Sequence, residues 1–129
     1  MDIWPSGLKN VLAVGAGGFL GALARYGVSV SIGLLWNRDF PLATFIVNVT
    51  GSFILGFFST LAAEHLELDP TWRLFIATGF VGAYTTFSTF EYETQRLAQS
   101  GMVWWGALNV LSSVVMGYIA VQLGVRFAR

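Results

Sequence analysis

The sequence predicts an all-α membrane protein: four transmembrane helices, the third of them broken, in a single domain over residues 1–129. Three observations carry this. Long runs hold no charge at all. Only 11% of residues are charged while 55% are hydrophobic, against about 25% charged in soluble domains. And the tryptophans stand where runs end: Trp4, Trp36, Trp72, Trp104 and Trp105 all fall near a boundary, the headgroup level that a half-wet indole prefers.

The elements follow in order. Residues 10–36 form the first run, interrupted only by Arg25. Residues 40–63 (FPLATFIVNVTGSFILGFFSTLAA) form the second and residues 102–125 (MVWWGALNVLSSVVMGYIAVQLGV) the fourth; each is 24 residues without a charge, enough to cross about 30 Å of hydrocarbon with some tilt. Residues 74–90 (LFIATGFVGAYTTFSTF) begin the third, which continues to about Leu97. The connections are short. Pro41 suits a helix start, Asp69 and Pro70 make a turn and start signal, and Gly101 suits a helix C-terminus. With no basic n-region or small-residue cleavage site at its start, the chain is expected to carry no signal peptide.

Charge excludes several function classes. The formal net charge is zero and there are no cysteines, so no nucleic-acid surface, disulfide frame or thiol chemistry is expected. His65, the single histidine, stands beside Glu64 and Glu67 in a connection, which suits a solvated surface. No catalytic triad or HExxH motif can be drawn, and an enzyme is not expected. Lys9, Arg73, Arg126 and Arg129 mark the side with both termini, Arg38 and Arg96 the other. So weak a bias in Lys and Arg raises insertion in both orientations. Glycines in all four runs, among them Gly17, Gly18, Gly21, Gly56, Gly79 and Gly124, argue for close helix packing and for oligomerisation.

Polar residues recur on helix faces. Thr44, Asn48, Ser52, Gly56 and Ser59 share one face of the second run, and Asn109, Ser113 and Gly117 one face of the fourth. Such residues serve either as helix–helix contacts, each contributing about 0.6 kcal/mol, or as the lining of an aqueous path. The amides of Asn48 and Asn109 are the strongest candidates for lining.

The stretch GAYTTFSTFEYE (82–93) is the most unusual. Gly79 and Gly82 loosen a helix by about 1 kcal/mol each relative to alanine. A break within a membrane is tolerated where the backbone is buried in protein or lines a wet cavity, and broken helices recur at ion sites. Thr85, Thr86, Ser88 and Thr89 would supply local hydroxyls. Phe87 and Phe90, three apart, project to neighbouring positions, either to pack or to present their positive ring edges to an anion.

Three segments together carry a resemblance. TGFVGAYTTFSTF (78–90) followed by Glu93, GGFLGALARY (17–26) and TFIVNVTGS (44–52) resemble the motifs of the Fluc/CrcB family of fluoride channels, and the likeness covers nearly the whole chain. It implies an antiparallel, dual-topology homodimer in the bacterial cell (inner) membrane, surrounded by lipid, with two fluoride pores and a structural sodium ion at the dimer interface. By position, Phe87 and Phe90 would be the aromatic pair along the pores. Asn48 would be the second-run pore amide, and Ser88, Thr89 and Ser113 hydroxyl donors on the same route. Gly82 and Thr85 would offer main-chain carbonyls to sodium. Arg25 would serve the pore entrance or fold support, and Glu93 matches a family glutamate of open role. Asn109 stands where the family often carries a tyrosine, so an amide would replace a phenol as donor. A proton-coupled multidrug-type transporter also has four spans, but wants a buried acid in the first run, where this chain has Arg25. A structural membrane subunit is the third reading, and it would carry no flux.

Overall fold

The computed structural model describes residues 3–129, with side chains from Gly7 onward; the Trp4 indole, expected at a span end, lies outside the described residues. Every regular element among them is helical: α1 (Ile3–Leu35), α2 (Leu42–Glu64), α3 (Pro70–Arg73), a π-helical stretch (Leu74–Val81), α4 (Gly82–Tyr84), α5 (Phe87–Gln99) and α6 (Val103–Ala128).

The ends of these elements follow local chemistry. After α1, the Trp36 indole N–H donates to the Phe40 carbonyl at 2.8 Å and closes the turn; Pro41 then caps α2. Asp69 caps α3 by accepting the Thr71 N–H, with Pro70 in the first turn, as the sequence predicts. That N–H, then the Lys9 ammonium, hold the Asp69 carboxyl down at about 2. At the end of α5, Gly101 adopts φ +79°. Its N–H donates to the Ala98 carbonyl and that of Met102 to the Leu97 carbonyl, the paired closure that a left-handed glycine allows.

Three helices are long and apolar enough to cross a membrane: Gly7–Leu35, Leu42–Glu64 and Val103–Ala128. The third run is not one helix. Residues 70–84 wind continuously, Thr85 and Thr86 are extended (ψ 158° and 119°), and α5 begins at Phe87. The sequence reading tied a break to Gly79 and Gly82. Both are helical, and the two residues off helical geometry are threonines, whose branched Cβ suits extended backbone.

α2 packs along α6, α1 along the π-helical stretch and α4, and α5 against α6. The glycines make these approaches possible. A Cβ on Gly17 would lie 2.1 Å from the Phe75 carbonyl oxygen, one on Gly21 2.1 Å from that of Phe80, and one on Gly124 2.3 Å from that of Phe53. The close helix packing expected of these glycines is thus met inside the chain at these positions. Large apolar side chains on α1 and α6 turn outward instead, as with Leu34 and Val114, which suits lipid as the solvent. Ion pairs gather the termini and the second connection at one end: Lys9 with Asp69 at 3.0 Å and Arg129 with Glu64 at 3.3 Å.

Candidate functional site

The interruption at Thr85–Thr86 is built by three neighbours. From α2, Asn48 uses both ends of its amide: Nδ2 donates to the Thr86 carbonyl at 3.0 Å and Oδ1 accepts the Thr86 N–H at 2.8 Å. One helical turn along, Gly51 gives the interruption room, since a Cβ there would stand 2.2 Å from Thr85 Cγ2. From α1, Arg25 Nε donates to the Ala83 carbonyl at 3.0 Å. Within the interruption, Thr85 returns its N–H and its hydroxyl to the Val81 carbonyl, and Thr86 Oγ1 accepts the Thr89 N–H as the cap of α5.

The interruption leaves the carbonyls of Gly82 and Thr85, like that of Tyr84, without their usual donors. In a continuous helix the Thr86 N–H would reach the Gly82 carbonyl and the Thr89 N–H the Thr85 carbonyl. Here they go to Asn48 and to Thr86 Oγ1. The carbonyls of Gly82 and Thr85 are therefore hard, uncharged oxygens free to accept. That donor set fits a hard monovalent cation such as sodium, although one chain supplies only two of the several oxygens such an ion takes.

A groove of about 250 Å³ opens beside the interruption, lined by Asn48, Ser52, Val81, Thr85, Thr86 and Phe87 among others. Phe87, the first residue of α5, is 74% exposed, whereas Phe90 is 6% exposed. Their ring centroids are 5.9 Å apart at 48°, so the three-residue spacing does make them neighbours. Further along α5 a second cavity, of about 330 Å³, is reached by Thr44, Thr89 and Glu93. The Thr44 hydroxyl donates to Glu93 Oε1 at 2.5 Å. A third, of about 400 Å³, shares Glu93 and Arg38 with the second and adds Arg96. From mid-chain to the connection end, the lining thus passes from amide and hydroxyl groups to charges of both signs, Arg38 and Arg96 with Asp39 and Glu93.

The structure brings Asn48, Thr85 and Phe87 together at the groove and places Thr89 and Glu93 at the next cavity. Ser88 is exposed on α5. Gly82 is exposed beside the interruption, and Arg25 braces it. Asn109 and Ser113 stand elsewhere, in the seam between α5 and α6, where Asn109 Nδ2 donates to Thr94 Oγ1 at 2.9 Å and Ser113 Oγ to Asn109 Oδ1 at 3.3 Å. Sequence reasoning did not single out Gly51 or Thr94, nor Thr86 as the partner of Asn48. Gly51 adjoins the polar face of α2, a signal that was present; Thr94 carries none until its partner is known.

A family model described as "CrcB-like protein, Camphor Resistance (CrcB)" matches residues 12–125. The chain belongs to the CrcB family. A fluoride-specific ion channel FluC of Acidobacterium capsulatum is 53% identical over 113 residues, covering 88% of this chain and 90% of the relative. That of Solibacter usitatus is 45% identical over 92% of this chain and 97% of the relative, and FluC 1 of Listeria innocua serovar 6a 43% over 92% and 99%. These CrcB relatives are named as ion channels, a class apart from enzymes.

Proposed function

We propose that this CrcB-family chain is a fluoride-selective channel that lets cytoplasmic fluoride leave the cell passively and so confers fluoride resistance. The observation that carries the reading is the Thr85–Thr86 interruption. Asn48 holds it open beside a groove, with the Phe87 ring exposed at its edge. The names of the relatives support fluoride as the ion.

Fluoride is tightly hydrated, and a pore must replace its water with contacts weak enough to release it. Uncharged amides, hydroxyls and positive ring edges meet that need. The charged groups lie toward the connection end, where Arg38 and Arg96 line the outermost cavity together with Asp39 and Glu93; the arginines are offset there by carboxylates and stay out of mid-membrane, where they could trap the ion. Efflux needs no fuel. Fluoride enters as neutral HF, ionises in a more alkaline cytoplasm, and is driven outward by the inside-negative potential with about 2.3 kcal/mol per 100 mV.

The functional unit is an antiparallel homodimer in the bacterial inner membrane, with the divided third run acting as a fourth crossing and two pores formed between copies. A single chain leaves Phe87 uncovered, and an inverted copy would give that ring a second wall. The carbonyls of Gly82 and Thr85 from both copies would hold a structural sodium ion, whose charge would offset repulsion between facing carbonyls and raise the positive potential near both pores.

Fluoride efflux from liposomes containing the purified protein, with chloride as comparator, tests the reading. Fluoride should leave far faster than chloride. Phe87→Ile or Phe90→Ile should lower fluoride efflux at least about tenfold, a loss of about 1.4 kcal/mol, while the dimer persists on a sizing column. Equal rates for the two halides would refute fluoride selectivity, unchanged flux in both variants would refute the aromatic role, and absence of any flux would favour a structural subunit.

A further inference from the structure

Resting on that reading, we infer that Asn109 is a positioning residue that holds Phe90 in place through Thr94, and that it does not itself contact the ion. Asn109 is 1% exposed and lines neither the groove beside the interruption nor the cavity at Thr89 and Glu93. Its bonds form a closed series. Ser113 Oγ donates to Asn109 Oδ1 at 3.3 Å, Asn109 Nδ2 to Thr94 Oγ1 at 2.9 Å, and Thr94 Oγ1 to the Phe90 carbonyl at 2.8 Å.

The chemistry of the series fixes its direction. A threonine hydroxyl has one proton, and that of Thr94 is committed to the Phe90 carbonyl. Its oxygen can only accept from Asn109. Turning the amide over would set Oδ1 against that oxygen, two acceptors facing each other in a buried seam. The Ser113 hydroxyl, expected on the ion's route, is spent holding the amide in this orientation.

The geometry explains why α5 needs such a tie. Its N-terminal end follows two extended residues, so nothing helical upstream sets its rotation. Two side-chain contacts from α2 grip it, Asn48 on Thr86 and Thr44 on Glu93. Asn109 supplies the grip from α6. The ring pair at Phe87 and Phe90 lies between these ties. A slip of one residue in helix phase turns a side chain by about 100°, so a modest rotation of α5 turns the Phe87 and Phe90 rings together, away from the face they now present.

The test compares Asn109→Leu, Thr94→Val, the double variant and Thr94→Ser in purified dimers. Fluoride efflux is one readout, and the ¹⁹F spectrum of 4-fluorophenylalanine at position 90 is the other. Asn109→Leu and Thr94→Val should each lower efflux about tenfold, and the double variant should be no worse than either, because both cut the same series. Both single variants should shift or split the ¹⁹F signal, and Thr94→Ser should keep native flux and a native signal. If Asn109→Leu stops flux while Thr94→Val leaves flux and ¹⁹F signal native, the amide touches the ion and the inference is overturned. Independent, additive losses overturn it as well. A parent protein without fluoride flux would instead sink the channel reading, and the ¹⁹F signal would still decide whether Asn109 holds the ring.

Discussion

Asn48 shows how a residue can be singled out correctly and still be given too simple a task. An amide in an apolar run was readable as unusual from the sequence. Its partner was not, because Thr86 lies 38 residues away and offers only main-chain atoms. The side chain completes, for one residue, the pairing that a neighbouring strand would provide. Polar contacts between membrane helices contribute about 0.6 kcal/mol on average, since the separated helices find other partners. Extended backbone has no such alternative, and stranding its N–H and carbonyl costs about 1–3 kcal/mol. Asn48→Ala should therefore destabilise the protein by about 1–3 kcal/mol, read as a lower melting temperature in detergent, and should lower fluoride flux. A variant with native stability and reduced flux would mean that the amide acts on the ion and not on the interruption. Phe87 and Phe90 were readable as neighbours because helical spacing alone brings them together. Thr94 and Asn109 were not, because their meeting depends on how α5 packs on α6.

At the scale of elements, hydropathy located the helices well and their interruption less well. Three long runs became three long helices, with ends displaced where no residue forbids continuation, as in the extension of α1 from residue 10 back to Ile3. Glycine in the third run carries a cost in helix propensity, yet Gly79 is buried and sits against α1 with no room for a methyl group: a Cβ there would lie 2.7 Å from the Val14 carbonyl oxygen. Packing overrides propensity at this position. Propensity is a local property, and whether a glycine loosens a helix or admits a neighbour depends on what faces it. Gly17→Ala tests the packing account from the α1 side. Its methyl would meet the Phe75 carbonyl oxygen at 2.1 Å, and main chain cannot move aside as a flexible side chain does. The substitution should cost about 1–3 kcal/mol from overpacking and lower the melting temperature. Gly15→Ala, with nothing within 4 Å, should leave it unchanged or slightly raised. Equal effects at the two positions would mean that α1 does not lie on the π-helical stretch as described.

For the whole molecule, the placement of the ends was readable and the pairing of copies was not. Charge and connection length put both termini with the second connection, and the ion pairs of Lys9 and Arg129 at one end agree with that arrangement. Orientation follows the balance of Lys and Arg near span ends, to which acidic partners contribute little. On the proposed reading, four against two is even enough to allow both directions, which a pore built from inverted copies needs. The balance can be forced. Three lysines appended after Arg129 raise it to seven against two and should hold the termini inside. Lys9→Gln and Arg126→Gln, with Asn37→Lys and Ser100→Lys, reverse it to two against four and should hold them outside. Reporters at the C-terminus should signal on both sides for the parent and on one side for each forced chain. Cells expressing either forced chain alone should lose fluoride resistance, and cells expressing the two together should regain it, since only that mixture supplies inverted partners. Full resistance from one forced chain, with its reporter on a single side, would show that parallel copies suffice and would remove the inverted pore.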